Sequence, residues 1–492
     1  MSVILAVDQS TSSTKAMLFN EQGELLGKTA VDHQQYYPQP GWVEHDAEEI
    51  YQNMLRVCGD LLRQHPDAKN NLLCLSITNQ RETIVVFDRQ TGKPLHHAIV
   101  WQCRRGEPYC SHLMDAGHSE TVQQLTGLKI DTYFPASKLT WLLEHVPEIR
   151  TRLADGSALL GTIDTYLIYR LTEGRSFFSD QTNASRTLLY NINSLSWSDT
   201  LCELFHVPRH ALPEVMDSTA QFGETTLGGL LDKPIPICGV MGDSQAALFA
   251  ERCFQPGMAK VTFGTGSSVL LNIGDRMRLS PNGIVTTVGW VYQGRPAYAF
   301  EGITNFTGGT IAWMRDQMKL IESPQETEAL AQAVPDNGGV YLIPAFVGLS
   351  APYWQPNARA AIVGMTTAST KNHIVRAALE SIAYQIRDVL DLMAADAGIT
   401  LQYIYGDGGM IHNRFLMQFV ADMTQMTVRA SSLPELSALG AVMAGWLGMG
   451  VYDSTPALEG LPHHFEDYVP QMAASVVQDY YAGWKAAVQR VL

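Results

Sequence analysis

A single carboxylate, Asp243, separates the apolar run 236–242 from the run of mostly small and apolar residues at 244–250. The position allows two roles. As a helix N-cap, Asp243 would accept a backbone N–H and stabilise the helix by about 1 kcal/mol. As a general base, it would take the proton from a hydroxyl group that attacks a phosphorus atom. The local residues leave both roles open, and the two are compatible.

The stretch 8-DQSTSSTK-15 carries five hydroxyl side chains and a lysine between two apolar runs. Backbone N–H groups and hydroxyls in such a turn can hold phosphate oxygens. Asp8 could hold Mg²⁺ through water, because this ion binds few carboxylates and keeps several waters. The turn lacks the glycines of a Walker A loop or a dinucleotide fingerprint. A polar hairpin turn without function is the alternative.

Two further turns contain glycine. In 263-FGTGSS-268, glycines on both sides of Thr265 would let the backbone approach a phosphate closely. In 406-GDGGMIHN-413, glycines would let a flat ring lie on the backbone before a helix N-terminus, which favours negative charge. Each turn alone could equally be a simple connection between two elements.

A polar pair, Arg81–Glu82, stands at the end of a predicted strand, and Trp101 follows another apolar run. The pair could present fixed donors and acceptors to hydroxyl groups, while Trp101 could pack against the carbon atoms of a polyol. A surface ion pair of little energetic value is the alternative.

Alternating strand and helix patterns must position these residues, which indicates an α/β class. Helical spacing predicts helices at 46–65, with Asp46 as the cap, at 373–398, ending on Gly398, and at 413–425 and 436–450. The segments 3–25 and 258–277 share the order strand, hydroxyl-rich turn, strand, turn. They form either a weak internal repeat or two unrelated hairpins.

Composition limits the class of protein. With 492 residues, the chain predicts two large domains, joined near 244–256. Its net charge of −15 argues against a nucleic-acid-binding surface. The seven cysteines show no CxxC spacing, so we expect buried thiols in a reducing compartment. The absence of a long apolar run or signal peptide predicts no membrane span and a cytoplasmic location.

Together these residues resemble the FGGY family of carbohydrate kinases, and within it the glycerol kinase branch. The similarity covers residues 3 to about 450, in blocks such as DQSTSSTKAMLF, ITNQRETIVVF, MGDSQAALF, GMAKVTFGTGS and GDGGMIHNRFLMQF. The resemblance implies a two-lobed, actin-like ATPase fold of the ribonuclease H type, with a catalytic cleft between the lobes. It implies a polyol- or sugar-binding lobe at 1–245, a nucleotide-binding lobe at 246–492, and a homodimer or homotetramer.

The resemblance also implies roles for individual positions. Phosphorylation of a terminal hydroxyl by ATP with Mg²⁺ would use Asp243 as the base. The other matched positions fall into two sets. The substrate-binding set is Arg81, Glu82, Trp101, Tyr133, Asp243, Ser244 and Ser268, and the ATP-binding set is Thr11, Ser12, Ser13, Lys15, Thr265, Gly308, Gly409 and Asn413.

This chain departs from the glycerol kinase pattern. Ser244 replaces a usual glutamine and Ser268 a usual aromatic residue, so we expect a larger pocket and a substrate such as a four- or five-carbon polyol or a ketose of the xylulose type. Ser10 and Lys15 replace a usual glycine and arginine. The segment 228-GGLLDKPIP-236 lacks the arginine of the loop that binds a sugar bisphosphate inhibitor in some relatives, so we do not expect that inhibition.

Two other classes compete with the kinase. Actin-like filament or chaperone ATPases share the fold but have no small-molecule acceptor, and would need neither the Arg81–Glu82 pair nor the base Asp243. A catalytically silent sugar sensor is disfavoured because the nucleotide turns are complete.

Overall fold

A computed structural model describes residues 2–433, 435–462 and 465–492. We call the elements up to residue 250 the N-terminal lobe and those from residue 258 the C-terminal lobe. The strands of the N-terminal lobe are β1 (Val3–Gln9), β2 (Ser13–Asn20), β3 (Leu25–Asp32), β4 (Gln35–Tyr36), β5 (Glu44–His45), β6 (Leu72–Asn79), β7 (Ile84–Asp88), β8 (Ala98–Ile99), β9 (Ala158–Thr162), β10 (Phe178–Asp180), β11 (Tyr190–Asn191), β12 (Ser196–Trp197), β13 (Glu214–Met216), β14 (Gln221–Thr225) and β15 (Ile235–Gly242). Its helices are α1 (Ala47–Gln64), α2 (Glu107–Asp115), α3 (Ser119–Thr126), α4 (Pro135–His145), α5 (Pro147–Ala154), α6 (Ile163–Leu171), α7 (Gln181–Ala184), α8 (Asp199–Leu204) and α9 (Asp243–Ala250), with 3-10 turns at Pro66–Asn70 and Arg209–Ala211.

The main sheet of the N-terminal lobe has the order β14-β15-β6-β1-β2-β3. Strand β1 pairs antiparallel with β2 and parallel with β6, and β6 pairs parallel with β15. All seven residues of β1 are buried, because Val3, Leu5 and Val7 face one core while Ile4 and Ala6 face another. A strand covered on both faces is expected to be a continuous apolar run rather than an alternating one, as VILAV is.

The C-terminal lobe has its own sheet, in the order β18-β19-β17-β16-β22-β23-β24. Its strands are β16 (Met258–Phe263), β17 (Ser267–Gly274), β18 (Val285–Tyr292), β19 (Arg295–Thr304), β20 (Tyr341–Ile343), β21 (Ala361–Val363), β22 (Tyr403–Asp407), β23 (Thr427–Ser431) and β24 (Phe465–Tyr468). Its helices are α10 (Gly308–Asp316), α11 (Thr327–Gln332), α12 (Lys371–Ala397), α13 (Arg414–Thr424), α14 (Leu436–Gly448), α15 (Thr455–Leu458) and α16 (Ala474–Val488), with 3-10 turns at Pro324–Glu326 and Gly409–His412.

The two sheets repeat one topology. In each, an antiparallel hairpin (β1–β2 or β16–β17) pairs parallel with the next central strand (β6 or β22), which pairs parallel with another (β15 or β23). The alternative that residues 3–25 and 258–277 are unrelated hairpins is therefore wrong. The two polar turns lie at equivalent places in the two lobes.

Helices α9 and α14 pack against each other between the two sheets. The small residues predicted to suit close packing do so: a Cβ on Gly440 would lie 1.8 Å from the Ala246 carbonyl oxygen, and one on Gly445 would lie 2.5 Å from Ser76 Oγ. The proposed lobe boundary after residue 245 falls inside α9 and stays a prediction.

The four predicted helices are confirmed as α1, α12, α13 and α14. Asp46 caps α1 by accepting the N–H groups of Glu48 and Glu49, and Gly398 ends α12 with a φ of 60°. All seven cysteines are buried free thiols. Within the described ranges, no helix combines the length and hydropathy needed to span a membrane.

Candidate active site

The carboxyl ends of three neighbouring parallel strands meet at one edge of the N-terminal sheet. Asp8 of β1 and Met241 of β15 both pair with Thr78 of β6. The residues that follow these strands, including Arg81 and Asp243, therefore gather at this edge, as is usual for sites in open α/β sheets. The C-terminal lobe lies opposite, with Glu301 of β19 in contact with Arg81.

Asp243 is the first residue of α9 and not its N-cap. The cap position belongs to Gly242, and no side chain bonds to the first turn there. Asp243 Oδ1 instead accepts the N–H of Ser244 at 2.6 Å and lies 3.2 Å from Arg81 Nε. The capping role is wrong, because the carboxylate bonds the next residue rather than the N–H groups two or three positions on. The side chain is 39% exposed.

A ring of four buried charges stands beside Asp243. Its members, which we call the charge ring, are Arg81, Glu82, Arg186 and Glu301, and each side chain is at most 6% exposed. Glu301 Oε1 lies 2.9 Å from Arg81 Nη2, and Glu301 Oε2 lies 2.5 Å from Arg186 Nη1. Glu82 Oε1 lies 2.6 Å from Arg186 Nε and 3.7 Å from Arg81 Nε.

Local structure fixes the ring. Glu82 has a φ of 60°, an uncommon conformation for a residue with a side chain, and its ion pair with Arg186 holds it there. Arg81 Nη1 donates to Gln245 Oε1 at 3.2 Å. Gly242 leaves room for Arg81, because a Cβ there would lie 2.7 Å from Arg81 Cγ. The two arginines hold the pKa of Glu301 down at about 2 despite its burial, which by itself raises that pKa.

Trp101 and Tyr133 form an aromatic wall, with ring centroids 5.3 Å apart. Trp101 Nε1 donates to Thr11 Oγ1 at 3.0 Å, so the wall is tied to the first polar turn. The buried Lys138 supports the wall from behind, since its Nζ donates to the carbonyl oxygens of Tyr133, Val100 and Trp101 at 3.0, 3.4 and 3.5 Å. Burial lowers the pKa of Lys138 to about 8.

The turn between β1 and β2 is braced by its own side chains. Ser10 Oγ donates to the Ser13 carbonyl oxygen at 3.0 Å and lies 3.1 Å from Ser13 Oγ. Ser12 is exposed and Thr11 is half-buried. Serine in place of the usual glycine therefore closes this turn by a hydrogen bond.

Lys15 lies in β2, opposite Asp8 of β1. Its Nζ lies 2.8 Å from Glu435 Oε2 and 3.4 Å from Asp8 Oδ2, so two carboxylates hold it in this structure. Burial raises the pKa of Asp8 to about 6, Lys15 opposes this shift, and the charges of Asp243 and Glu435 add to it.

The turn between β16 and β17 is braced by backbone groups. The N–H groups of Gly308 and Gly309, at the start of α10, donate to the carbonyl oxygens of Gly264 and Thr265 at 2.9 and 2.8 Å. A Cβ on Gly308 would lie 2.6 Å from the Gly264 oxygen. Thr265 and Gly308, which are both predicted to contact the nucleotide, therefore lie close together. Thr265 is exposed.

The third turn begins where β22 ends beside β16. Gly408 has a φ of 95°, and a Cβ there would lie 2.5 Å from the Phe263 carbonyl oxygen, whereas a Cβ on Gly409 would meet open space. Asn413 caps α13, since its Oδ1 accepts the Leu416 N–H at 2.9 Å and its Nδ2 donates to Thr327. Both groups of this predicted adenosine contact are already engaged within the protein.

Two adjacent cavities run along these turns. The larger, of about 670 Å³, is lined by Asp8, Lys15, Asp243, Ser244, Lys260, Asp407 and Gly409 among others. The smaller, of about 240 Å³, is lined by Thr327, Gly409, His412, Asn413 and others. Because Gly409 and His412 line both, the two cavities are adjacent, and together, as the cleft, they extend from Asp243 to Asn413.

Ser244 and Ser268 occupy different parts of this region. Ser244 lines the larger cavity. Ser268 pairs with Ile303 across β17 and β19, two residues from Glu301 and on the same face of the sheet. Its hydroxyl is buried and has no hydrogen-bond partner among the described residues, while Ile303 is 42% exposed. The small side chain at 268 thus leaves an apolar side chain uncovered.

Sequence reasoning missed five residues that hold the others in place. Arg186 and Glu301 lie 104 and 220 residues from their partners Glu82 and Arg81, so no spacing pattern could link them. Only the folded chain shows these contacts. The other three are Lys138, Gln245 and Glu435.

Comparisons with known proteins agree with this architecture. The FGGY family of carbohydrate kinases matches with its N-terminal domain at residues 3–250 and its C-terminal domain at 259–449. Glycerol kinase of Desulfitobacterium hafniense is 45% identical over 489 residues, and glycerol kinase 1 of Thermotoga maritima 44%, each covering 99% of both chains.

Solved structures show the same fold. Plasmodium falciparum glycerol kinase with ADP has a TM-score of 0.96 and 36% identity, covering 100% of this chain and 98% of that one. A ligand-bound xylulose kinase from Lactobacillus acidophilus has a TM-score of 0.87 at 20% identity, covering 99% and 97%, which speaks for the fold alone. The chain belongs to the FGGY family of carbohydrate kinases.

Proposed function

We propose that this kinase transfers the γ-phosphoryl group of ATP to a terminal hydroxyl of glycerol, or of a glycerol-like polyol or ketose. The observation that carries the proposal is the placement of Asp243: a half-exposed carboxylate at the start of α9, next to the charge ring and in the same cleft as the glycine turns. The glycerol kinases that match over nearly the whole chain support the substrate class.

Asp243 is oriented to accept a proton. Its Oδ1 is fixed by the Ser244 N–H and Arg81 Nε, whereas Oδ2 has no hydrogen-bond partner in the described part of the chain. Oδ2 would take the proton from the substrate hydroxyl as its oxygen attacks the γ-phosphorus. Arg81 and Glu82 would position the other hydroxyls, and Trp101 and Tyr133 would cover the carbon atoms.

The polar turns of the two lobes would hold the phosphates of ATP. The exposed Thr265 and the hydroxyls of Thr11, Ser12 and Ser13 supply donors, and Lys15 supplies a positive charge. Preorganised donors of this kind account for much of the acceleration of phosphoryl transfer. The smaller cavity, beside Gly409 and Asn413, would take the adenosine.

The cleft also fits Mg²⁺. Asp8 is a carboxylate whose pKa is raised by burial and by the nearby charges of Asp243 and Glu435, so a cation would relieve this repulsion. Magnesium binds through one or two carboxylates, waters and substrate phosphates, and Asp8 would hold it through water. When bound, the ion would offset negative charge on the phosphates.

A substrate larger than glycerol is the second candidate, a four-carbon polyol or a pentulose. It is favoured by the partnerless hydroxyl of Ser268 and the exposed side chain of Ile303 beside it, together with the small Ser244 in the cavity wall. A longer acceptor could cover Ile303, and a shift of the buried Ser268 side chain would let its hydroxyl reach that acceptor.

ATP turnover with a panel of polyols and ketoses tests both candidates. We expect ATP consumption to rise on adding a polyol, which an actin-like ATPase without a small-molecule acceptor would not show. The highest kcat/KM for glycerol would dismiss the larger substrate, and no response to any acceptor would dismiss the kinase function. The proposed cytoplasmic location and the homodimer or homotetramer are tested separately, the latter by light scattering.

A further inference from the structure

Glu301 is the one member of the charge ring that the C-terminal lobe contributes. It lies in β19, whereas Arg81, Glu82 and Arg186 belong to the N-terminal lobe. Each of its carboxylate oxygens forms an ion pair with a different arginine, Oε1 with Arg81 and Oε2 with Arg186. Glu301 therefore joins the two lobes through the residues that line the predicted polyol site.

The charges of the ring balance only when Glu301 is included. Without it, Arg81, Arg186 and Glu82 would carry a net charge of +1 in a place where each side chain is at most 6% exposed. Removing one partner of a buried ion pair is strongly unfavourable because the other charge stays desolvated. Arg81 and Arg186 would then have to find other carboxylates.

The carboxylates within reach are those predicted to act on the substrate. Arg81 Nε already lies 3.2 Å from Asp243 Oδ1 and 3.7 Å from Glu82 Oε1. An Arg81 released from Glu301 would bind Asp243 with more of its guanidinium and engage the oxygen that must accept the proton. Arg186 acts on the other side, where it holds Glu82 at its φ of 60°.

We propose that Glu301 and Arg186 are positioning residues for phosphoryl transfer: Glu301 crosses between the lobes to hold Nη2 of Arg81, so that only Nε of Arg81 contacts Asp243 and Oδ2 stays free, and Arg186 holds Glu82 towards the substrate. The polyol site is thus complete only while the lobes are together. This inference rests on the proposed function, since it assigns these residues to the acceptor side of the same site.

The test compares Glu301→Gln with a matched control, Glu380→Gln. Glu380 is also a fully buried glutamate of the C-terminal lobe paired with an arginine, Arg376, at 2.8 Å, but it lies in α12 and outside the cleft lining. Wild type and both variants are assayed for kcat, polyol KM, ATP KM and melting temperature.

We expect Glu301→Gln to lower kcat/KM for the polyol by about 10²-fold, a loss typical of misplaced reacting groups, with ATP KM nearly unchanged. Glu380→Gln should lower only the melting temperature. Equal losses of melting temperature in the two variants, with wild-type kinetics in Glu301→Gln, would overturn the proposal. So would a rise in ATP KM equal to that in polyol KM.

A second variant covers the case in which Glu301→Gln fails to fold. Arg186→Lys keeps the charge but replaces Nε and Nη1, which face Glu82 and Glu301, with one nitrogen, so the two carboxylates lose the spacing that the planar guanidinium sets. We expect polyol KM to rise at least tenfold at unchanged ATP KM, and unchanged polyol KM would contradict the role of Arg186. If the wild type itself shows no polyol-dependent turnover, the proposed function fails, which is a separate outcome from an unaffected variant.

Discussion

The two ends of the cleft bind by different means. At the end proposed to bind the polyol, the side chains of Arg81, Glu82 and Asp243 would carry the chemistry, and buried ion pairs fix the positions of Arg81 and Glu82. At the nucleotide end, glycines are packed against carbonyl oxygens, and backbone bonds between α10 and the β16–β17 turn fix the geometry. The two polar turns come from one repeated hairpin topology, yet the first is braced by its own residues Ser10 and Ser13, whereas the second is braced by the start of α10, through main-chain N–H groups and the Thr307 hydroxyl.

The difference follows from what each ligand offers. A polyol offers hydroxyl groups, which need donors and acceptors at defined positions, and one of them must lose a proton. A phosphate chain offers many equivalent oxygens, which main-chain N–H groups can bind wherever no side chain obstructs them. We therefore expect that replacing a side chain at the polyol end impairs catalysis or polyol binding. At the nucleotide end, we expect that adding a side chain to a glycine impairs ATP binding.

The largest effect is expected from Asp243→Asn. The amide keeps the size of the carboxylate but cannot accept the proton, so kcat should fall by about 10³-fold. Folding should be nearly unaffected, since Asp243 caps no helix and its side chain is 39% exposed. Steady-state kinetics and thermal melting measure the two quantities.

Asp199→Asn is the matched control for Asp243→Asn. Asp199 is likewise the first residue of a helix, α8, but is exposed and far in sequence from the cleft residues. It should keep wild-type turnover. If Asp243→Asn also keeps wild-type turnover, Asp243 is not the general base.

At the nucleotide end, Gly408→Ala adds one methyl group. Its Cβ would lie 2.5 Å from the Phe263 carbonyl oxygen at a φ of 95°, so the turn must shift. We expect a loss of about 1–3 kcal/mol in the free energy of unfolding and a rise in ATP KM of about tenfold. Polyol KM should change little. Denaturant unfolding and kinetics with varied ATP measure these effects.

The variant Gly409→Ala tests a contact with the nucleotide without disturbing the fold. A Cβ at this position meets open space, so stability should match the wild type. Any rise in ATP KM then reports a nucleotide that lies against residue 409. An ATP KM equal to that of the wild type would mean that the predicted contact at Gly409 is wrong.

Ser268→Phe returns the chain to the pattern of its relatives. The added ring would cover Ile303 and reduce the space beside Glu301, so turnover on four- and five-carbon substrates should fall about tenfold relative to glycerol. Ser267→Ala is the control, because Ser267 lies on the opposite face of β17 and bonds Thr307. An unchanged ratio between long and short acceptors in Ser268→Phe would remove residue 268 from substrate selection.

The sequence predicts the fold well where one periodic pattern decides an element. Helix α1 begins where its cap Asp46 indicates, and α12 ends where Gly398 indicates. The repeat of the two hairpins remained ambiguous, because it is a likeness of element order and strand pairing rather than of residue identity. Pairing is decided by contacts across long sequence separations, which a local pattern does not contain.

The candidate site divides in the same way. Residues proposed to bind a ligand through a local turn, such as Thr265, could be named from the sequence. Those that act by holding another residue could not: Arg186 reaches Glu82 across 104 positions, and Lys138 supports Trp101 through carbonyl oxygens that carry no side-chain signature. The cap assigned to Asp243 failed because the helix begins one residue earlier than the pattern suggested.

Lys138 gives the smallest effect, and a pH dependence confined to the polyol end. Its pKa is lowered from 10.5 to about 8, mainly by burial. Above pH 8 the neutral amine has two donors for the three carbonyl oxygens of Val100, Trp101 and Tyr133, so polyol KM should rise a few-fold while ATP KM stays constant.

The free energy of unfolding should increase as Lys138 loses its proton, although polyol binding weakens over the same pH range. Between pH 8 and 10.5 the unfolded chain keeps this proton and the folded chain has lost it, so the free energy of unfolding gains up to about 3 kcal/mol from this group as pH rises. A Lys138→Met variant removes the gain, and denaturant unfolding of both proteins at pH 7.5 and 9.5 measures it. If polyol KM rises from pH 7.5 to 9.5 while the free energy of unfolding falls, the whole lobe has loosened. We expect polyol KM to rise without a fall in the free energy of unfolding, which places the change at the aromatic wall.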